Sequence, residues 1–163
     1  MILFSAHLDS ITNNFGTTEL LEALSMVPYS IAAIQEVALA TFSEALPSFE
    51  QRGLRSVFTP YGPPKSNNVG MLLLWDPKLC TLKKLTHGAA PKTCGTWLHK
   101  AEQSPNLAQV ALFGSVNDDR DFQIFNYRVP VLASDNLPLF AIDSKAPPFL
   151  CISGLHDPDA TSM

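Results

Sequence analysis

The chain has 163 residues, of which 46% are hydrophobic and 16% are charged. This length and composition fit one globular domain and exclude a disordered chain, a collagen and a coiled coil. The uncharged stretch around Met26–Gln35 is interrupted by Pro28, so it is too short and too broken to cross a bilayer. The sequence therefore predicts a soluble domain with no membrane partner.

The formal net charge of −4 is unevenly distributed along the chain. Residues 1–50 carry six acids and no Lys or Arg, residues 51–100 carry eight bases and one acid, and residues 101–163 carry three bases and eight acids. The basic block also contains aromatic residues, a combination that is typical of RNA-binding surfaces. A set of solvated lysines beside strands explains the same pattern and is the favoured interpretation. RNA stays a candidate partner, and the compartment stays open.

The first fifty residues predict two strands, each followed by a helix. In chain order these are a strand at Ile2–Phe4, a helix that starts at Thr17 or Thr18, a strand at Tyr29–Ile34 and a helix at about Leu39–Phe49. The first helix has apolar residues at helical spacing, namely Leu20, Leu21, Leu24 and Met26. The second strand is expected to deliver Gln35 and Glu36 at its C-terminal edge.

The rest of the chain predicts mainly strands. They are Ser56–Thr59, Val69–Trp75, Thr81–Leu85, Leu107–Phe113, Phe122–Phe125, Val129–Leu132 and Leu137–Ile142. A Pro-rich tail from Ser144 is expected to form a loose terminus. Two early helices followed by many strands predict an α+β layered sandwich and not a doubly wound sheet.

The cysteines and histidines show no metal-binding spacing. Cys80, Cys94 and Cys151 form no CxxC pair, and the four histidines form no HxH or HxxxH pair. One interpretation of the thiols is a lone cysteine nucleophile or a metal ligand. Reduced, partly buried thiols in a reducing compartment are the favoured one.

Several motifs occur in an order that resembles a known family. The strand that ends in Gln35-Glu36-Val37 is followed by Arg52-Gly53-Leu54, by the stretch from Lys65 to Trp75, and by Asp76-Pro77-Lys78. Asn106-Leu107-Ala108 and Ser134-Asp135-Asn136-Leu137-Pro138-Leu139 come later. Together these motifs resemble the endonuclease/exonuclease/phosphatase superfamily, and most closely its deadenylase branch, which includes nocturnin and the Angel proteins.

The resemblance implies a layered α/β/β/α sandwich and cleavage of phosphodiesters with magnesium, a hard cation that prefers oxygen ligands. It implies that Glu36 is the metal ligand. The other positions that align with the family's motifs imply catalytic roles at His7, Asp135 and Asn136, and substrate-binding roles at Lys65, Asn67, Asn106 and Asn126.

The chain also departs from the family's motifs. His7 stands where the family has an asparagine, Arg128 stands where it has a histidine, and Asn136 stands where it has the closing histidine. Only seven residues separate Asn126 from Ser134, and the family's Gly-Asp-x-Asn motif does not occur. Each lost group that would orient water or stabilise charge lowers the expected rate by orders of magnitude.

The resemblance, together with these departures, therefore implies one truncated domain over residues 1–143, shortened between residues 126 and 134, with a tail at 144–163. An incomplete sandwich would expose strand edges and an apolar face, so a protein partner or a dimer mate is expected to cover it. The predicted function is a degenerate phosphodiesterase that acts as an interaction or structural subunit. The alternatives are an active magnesium-dependent RNA exonuclease that uses Glu36, and a shortened gene product without activity.

Overall fold

The computed structural model describes residues 2–7, 16–60, 69–87, 108–129 and 149–155. These residues form eight strands and two helices. In chain order they are β1 (Leu3–His7), α1 (Thr17–Met26), β2 (Ile31–Ala38), α2 (Leu39–Gln51), β3 (Arg55–Pro60), β4 (Val69–Trp75), β5 (Cys80–His87), β6 (Ala108–Ser115), β7 (Asp121–Val129) and β8 (Phe149–Leu155).

The first sheet has the strand order β1-β2-β4-β3. The pair β1-β2 is parallel, and the other two pairs are antiparallel. The central strands β2 and β4 are buried along nearly their whole length. Both are continuous apolar runs with little alternation, which is typical of strands that are covered on both faces.

The second sheet has the order β5-β6-β7-β8. Its first two pairs are antiparallel, whereas β8 runs parallel to β7, from Gln123 opposite Phe149 to Val129 opposite Leu155. The structure thus differs from the expected loose terminus after Ser144. Phe149–Leu155 is a mostly apolar run that pairs with β7. Without it, β7 would be an edge strand with unpaired backbone N–H and C=O groups. The predicted strands at Leu137–Ile142 and beyond Val129 lie outside the described residues.

Two apolar clusters hold the layers together. The helices pack on the first sheet through buried residues that include Leu20, Leu24, Ile34, Val37, Ala45, Phe49, Leu72 and Leu74. The two sheets pack on each other through Ile31, Ala33, Leu73, Trp75, Cys80, Ala111, Phe113 and Ile124. The order helices–sheet–sheet confirms the predicted α+β layered sandwich, and no helix on the outer face of the second sheet is among the residues that the structure describes.

The helices begin and end close to their predicted bounds. The Glu19 carboxylate accepts a hydrogen bond of 3.0 Å from the backbone N–H of Gly16, which satisfies a donor at the start of α1. Met26 was expected in the apolar stripe, but it is 81% exposed because it is the last helical residue and extends beyond the packed turns. Neither described helix is long and apolar enough to span a membrane.

Two glycines allow close approaches between strands. A Cβ atom on Gly70 in β4 would collide with the Thr59 carbonyl oxygen and would lie 2.8 Å from the Pro60 Cα, both of which belong to the β3 backbone. A Cβ atom on Gly114 in β6 would instead lie 2.6 Å from Cε of Lys83, an exposed side chain that can move aside. The two sites therefore differ in whether the neighbouring atoms can give way.

Gly70→Ala is expected to destabilise the fold by about 2–3 kcal/mol, because the β3 backbone must shift. Gly114→Ala is the matched control and is expected to cost less than about 1 kcal/mol, since only side-chain atoms have to move, namely those of the partly exposed pair Lys83 and Asp121. Urea unfolding followed by circular dichroism measures both values. Equal stability of the two variants would contradict the close packing of β3 on β4.

Candidate functional site

Strand β2 contains a β-bulge at the predicted metal-binding glutamate. Its pairing with β4 is regular up to Ile34 opposite Leu72 and resumes at Val37 opposite Gly70, so Gln35 and Glu36 together face Met71. Glu36 has a φ of 60°, and it alone has a positive φ among the described non-glycine residues. The left-handed conformation costs an L-residue about 1–2 kcal/mol, so surrounding contacts must hold it.

The bulge changes which face of the sheet each residue occupies. Before it, Ile31 and Ala33 face the second sheet, whereas after it Val37 packs with the helices. Without the extra residue, Val37 would face the second sheet, because side chains alternate along a strand. The strand was expected to end before Gln35 and Glu36, but it continues through them to Ala38. Both side chains are 1% exposed.

Three buried amide side chains connect the two sheets at this bulge. Gln35 Nε2 donates to Asn126 Oδ1 (2.6 Å), and Asn126 Nδ2 donates to Gln109 Oε1 (2.9 Å). Gln109 Nε2 then donates to the Thr59 hydroxyl (2.8 Å) and to the Met71 carbonyl (3.3 Å). We call Gln35, Asn126 and Gln109 the amide chain.

The backbone determines the direction of the amide chain. A carbonyl oxygen can only accept, so the Met71 carbonyl requires the NH₂ group of Gln109 and turns its Oε1 toward Asn126. Asn126 must then present its NH₂ group to Gln109 and its oxygen to Gln35. Hydrogen bonds that run in one direction polarise and strengthen one another.

The predicted His7 lies beside this site in the backbone register. It is the last residue of β1, and it pairs with Gln35 of the parallel strand β2. Parallel strands end at the same edge of a sheet, so β1 brings His7 to the edge where the bulge begins. The structure therefore brings together the backbone positions of His7, Glu36 and Asn126, which lie far apart in the sequence. The other five predicted site residues, namely Lys65, Asn67, Asn106, Asp135 and Asn136, lie outside the described residues.

Sequence reasoning missed Gln109, although a signal for it exists. Gln109 is a polar residue within the predicted strand Leu107–Phe113, and it has the same parity as Ala111 and Phe113. Residues two apart in a strand share one face, so Gln109 lies on the same face as Ala111 and Phe113 and is expected to be buried with them. The structure confirms that Gln109 is 0% exposed and lies between the sheets.

Glu36, the predicted metal ligand, is the one carboxylate of the predicted site that lies among the described residues. No group of three or more His, Cys, Asp or Glu that could hold a metal occurs within the part of the chain that the structure describes. Magnesium commonly keeps several waters and uses one or two protein carboxylates. Glu36 can supply such a ligand, whereas the neutral amide chain adds no negative charge to hold a cation.

Cys80 is a buried free thiol, as the favoured interpretation of the cysteines predicted. Burial, together with the negative charge of Asp76, raises the pKa of the Cys80 thiol to about 11. The thiolate is the nucleophilic form of cysteine, and it is scarce at neutral pH when the pKa is raised. The Cys80 thiol thus packs between the two sheets, and its raised pKa disfavours the nucleophilic form.

Solved structures share this fold. The catalytic domain of human nocturnin with bound sulfate is 16% identical and matches 77% of this chain and 46% of its own, with a TM-score of 0.56. ANGEL2, a 2′,3′-cyclic phosphatase in complex with adenosine-2′,3′-vanadate, is 14% identical and matches 80% and 41%, with a TM-score of 0.60. An endonuclease/exonuclease/phosphatase family protein from Bacteroides thetaiotaomicron is 9% identical and matches 82% and 52%, with a TM-score of 0.59.

These likenesses show that the chain has the endonuclease/exonuclease/phosphatase fold, as its motifs predicted. Nocturnin and ANGEL2 represent the branch that the sequence resembles. The chain spans about half or less of the length of these three structures. No protein-family model and no curated protein matches the sequence.

Asn126→Leu is expected to destabilise the protein by about 2–5 kcal/mol, because it leaves the Gln35 donor and the Gln109 acceptor buried without their partner. Gln123→Leu is the matched control, since Gln123 lies on the same strand but is only partly buried, and it is expected to cost less than about 0.5 kcal/mol. Chemical denaturation measures both. A similar cost for the two variants would show that the amide chain does not stabilise the sandwich.

Proposed function

We propose that this chain is a divergent phosphodiesterase-fold domain with one magnesium position at Glu36 and with impaired or absent catalysis. We further propose that it acts as an interaction subunit, with a protein partner or a second copy as its mate. The observation that carries this proposal is the state of Asn126, a predicted substrate-binding residue that is used here to join the two sheets.

Asn126 is 0% exposed, and both polar atoms of its side chain are hydrogen-bonded within the protein. To contact a phosphodiester it would have to leave Gln35 and Gln109, and each buried group left without a partner costs about 1–3 kcal/mol. A substrate-binding group that is engaged in this way favours structure over turnover. This supports impaired catalysis.

The conformation of Glu36 supports the retained magnesium position. A strained, left-handed residue persists where the surrounding structure holds it, and such residues cluster at functional sites. Glu36 would supply one carboxylate oxygen to the ion. Bound magnesium supplies charge neutralisation at a phosphoryl oxygen and a more acidic water.

The outer surface of the helical layer supports a protein partner. Four glutamates are exposed on α1 and α2, namely Glu19, Glu22, Glu44 and Glu50. No Lys or Arg occurs between Gly16 and Gln51, so these charges have no basic neighbour within that segment. Such a surface repels RNA and attracts a basic protein surface.

An active magnesium-dependent RNA exonuclease is the second candidate. It is favoured by the strained Glu36 together with exposed bases on or beside the edge strands β3 and β5, namely Arg52, Arg55, Lys78, Lys83 and Lys84. These residues belong to the basic block at 51–100, the proposed RNA-binding segment. RNA is the phosphodiester that this charge pattern would bind.

We expect no hydrolysis of 5′-labelled oligo(A) in MgCl₂ above the level of the Glu36→Gln variant. Glu44→Gln is the matched control, since it removes the same charge from an exposed position on α2. Denaturing gel electrophoresis measures the products, with a chelated sample in parallel. Cleavage that is lost in both Glu36→Gln and the chelated sample, but kept in Glu44→Gln, would overturn impaired catalysis in favour of the exonuclease.

We also expect the isolated chain to associate, because an interaction subunit exposes the surface that its mate covers. Light scattering coupled to size-exclusion chromatography, over a hundredfold range of concentration, measures its mass. A mass that stays at that of a monomer at every concentration would argue against a second copy as the mate.

A further inference from the structure

At the bulge, the backbone carbonyl opposite Glu36 is hydrogen-bonded by a side chain of the other sheet. Two residues of β2, Gln35 and Glu36, face the single residue Met71 of β4, so the regular ladder is interrupted there. The Met71 carbonyl accepts a hydrogen bond of 3.3 Å from Gln109 Nε2. Gln109 belongs to β6 in the second sheet. Its side chain therefore bonds the backbone of the first sheet at the point where the pairing of β2 with β4 is interrupted.

The other end of Gln109 leads back to the same bulge. Its Oε1 accepts from Asn126 at 2.9 Å, and the Asn126 oxygen accepts from Gln35 at 2.6 Å. Gln35 directly precedes Glu36 in the sequence. The amide chain therefore holds the bulge at two points, namely the side chain before Glu36 and the backbone opposite it.

We propose that Gln109 is a positioning residue that keeps Glu36 in its left-handed conformation and so directs the Glu36 carboxylate toward the magnesium position. The link to magnesium rests on the proposed function, whereas the effect of Gln109 on the backbone conformation of Glu36 does not. A left-handed glutamate relaxes unless its surroundings over-determine it. Gln109 is 0% exposed, so its hydrogen bonds compete little with water and can supply that constraint.

The test replaces Gln109 by Met, a side chain of similar length that makes none of these hydrogen bonds. Phe113→Leu is the matched control, because Phe113 lies on the same strand and the same face, is also fully buried, and belongs to the apolar cluster. Backbone carbon and nitrogen chemical shifts of Glu36 report its φ in the full chain. We expect them to leave the left-handed range in Gln109→Met and to stay in it in Phe113→Leu. Left-handed shifts in Gln109→Met would overturn the proposal.

If Gln109→Met does not fold, Gln109→Asn takes its place. Asparagine keeps the amide group but is one methylene shorter, so it cannot keep the present bonds to both Asn126 and the Met71 carbonyl. We expect the Glu36 shifts to be displaced in the same direction. Unchanged shifts in this variant would equally overturn the proposal.

Titration with MgCl₂ alone, followed by calorimetry on the same samples, separates this proposal from the proposed function. We expect Gln109→Met to bind magnesium at least about tenfold more weakly than the wild type, as is usual when a group that orients a ligand is lost. Phe113→Leu is expected to stay within about twofold. Wild-type affinity in Gln109→Met would overturn the positioning role while leaving the magnesium position intact. If the wild type binds magnesium and Glu36→Gln binds it equally well, the magnesium position at Glu36 is overturned. The backbone chemical shifts of Glu36 would still decide the role of Gln109.

Discussion

One additional residue in β2 determines how the polar centre of this protein is built. The bulge places Gln35 and Glu36 opposite Met71 and lets Val37 pack with the helices, although Ile31 and Ala33 face the second sheet. A strand without the bulge would bury the same apolar residues only by turning Val37 toward the second sheet. The bulge therefore lets one strand serve two apolar clusters and also present a glutamate in an unusual conformation.

The buried amide side chains of the polar centre are engaged in hydrogen bonds with one another. Amides buried between two apolar sheets are costly unless they are hydrogen-bonded, and Gln35, Asn126 and Gln109 bond one another in one direction that ends at a backbone carbonyl. The hydrogen-bonded amide chain favours one arrangement of the two sheets, because a shift of one sheet relative to the other would leave a buried donor or acceptor without its partner. The same bonds occupy both polar atoms of the Asn126 side chain.

Much of this architecture could be predicted from the sequence, and the centre only in part. The apolar run Val69–Trp75 predicted β4 within its observed bounds, and the ordered motifs predicted the sandwich. The bulge could not be predicted, since no glycine marks the position and only the pairing with β4 reveals the extra residue. Gln109 was overlooked because one polar residue in an apolar strand is informative only when its partners across the two sheets are known. β8 was missed because the neighbouring prolines obscured a short apolar run.

The proposed magnesium position requires Glu36 to keep a strained backbone at a cost in stability. Comparison of Glu36→Gly with Glu36→Ala by urea unfolding measures that strain, since both variants remove the carboxylate and only glycine accepts a positive φ without strain. We expect Glu36→Gly to be more stable than Glu36→Ala by about 1 kcal/mol, and we expect neither variant to bind magnesium at this position. Equal stability of the two variants, or a more stable alanine variant, would show that the backbone at Glu36 is not strained and would rule out this role for it.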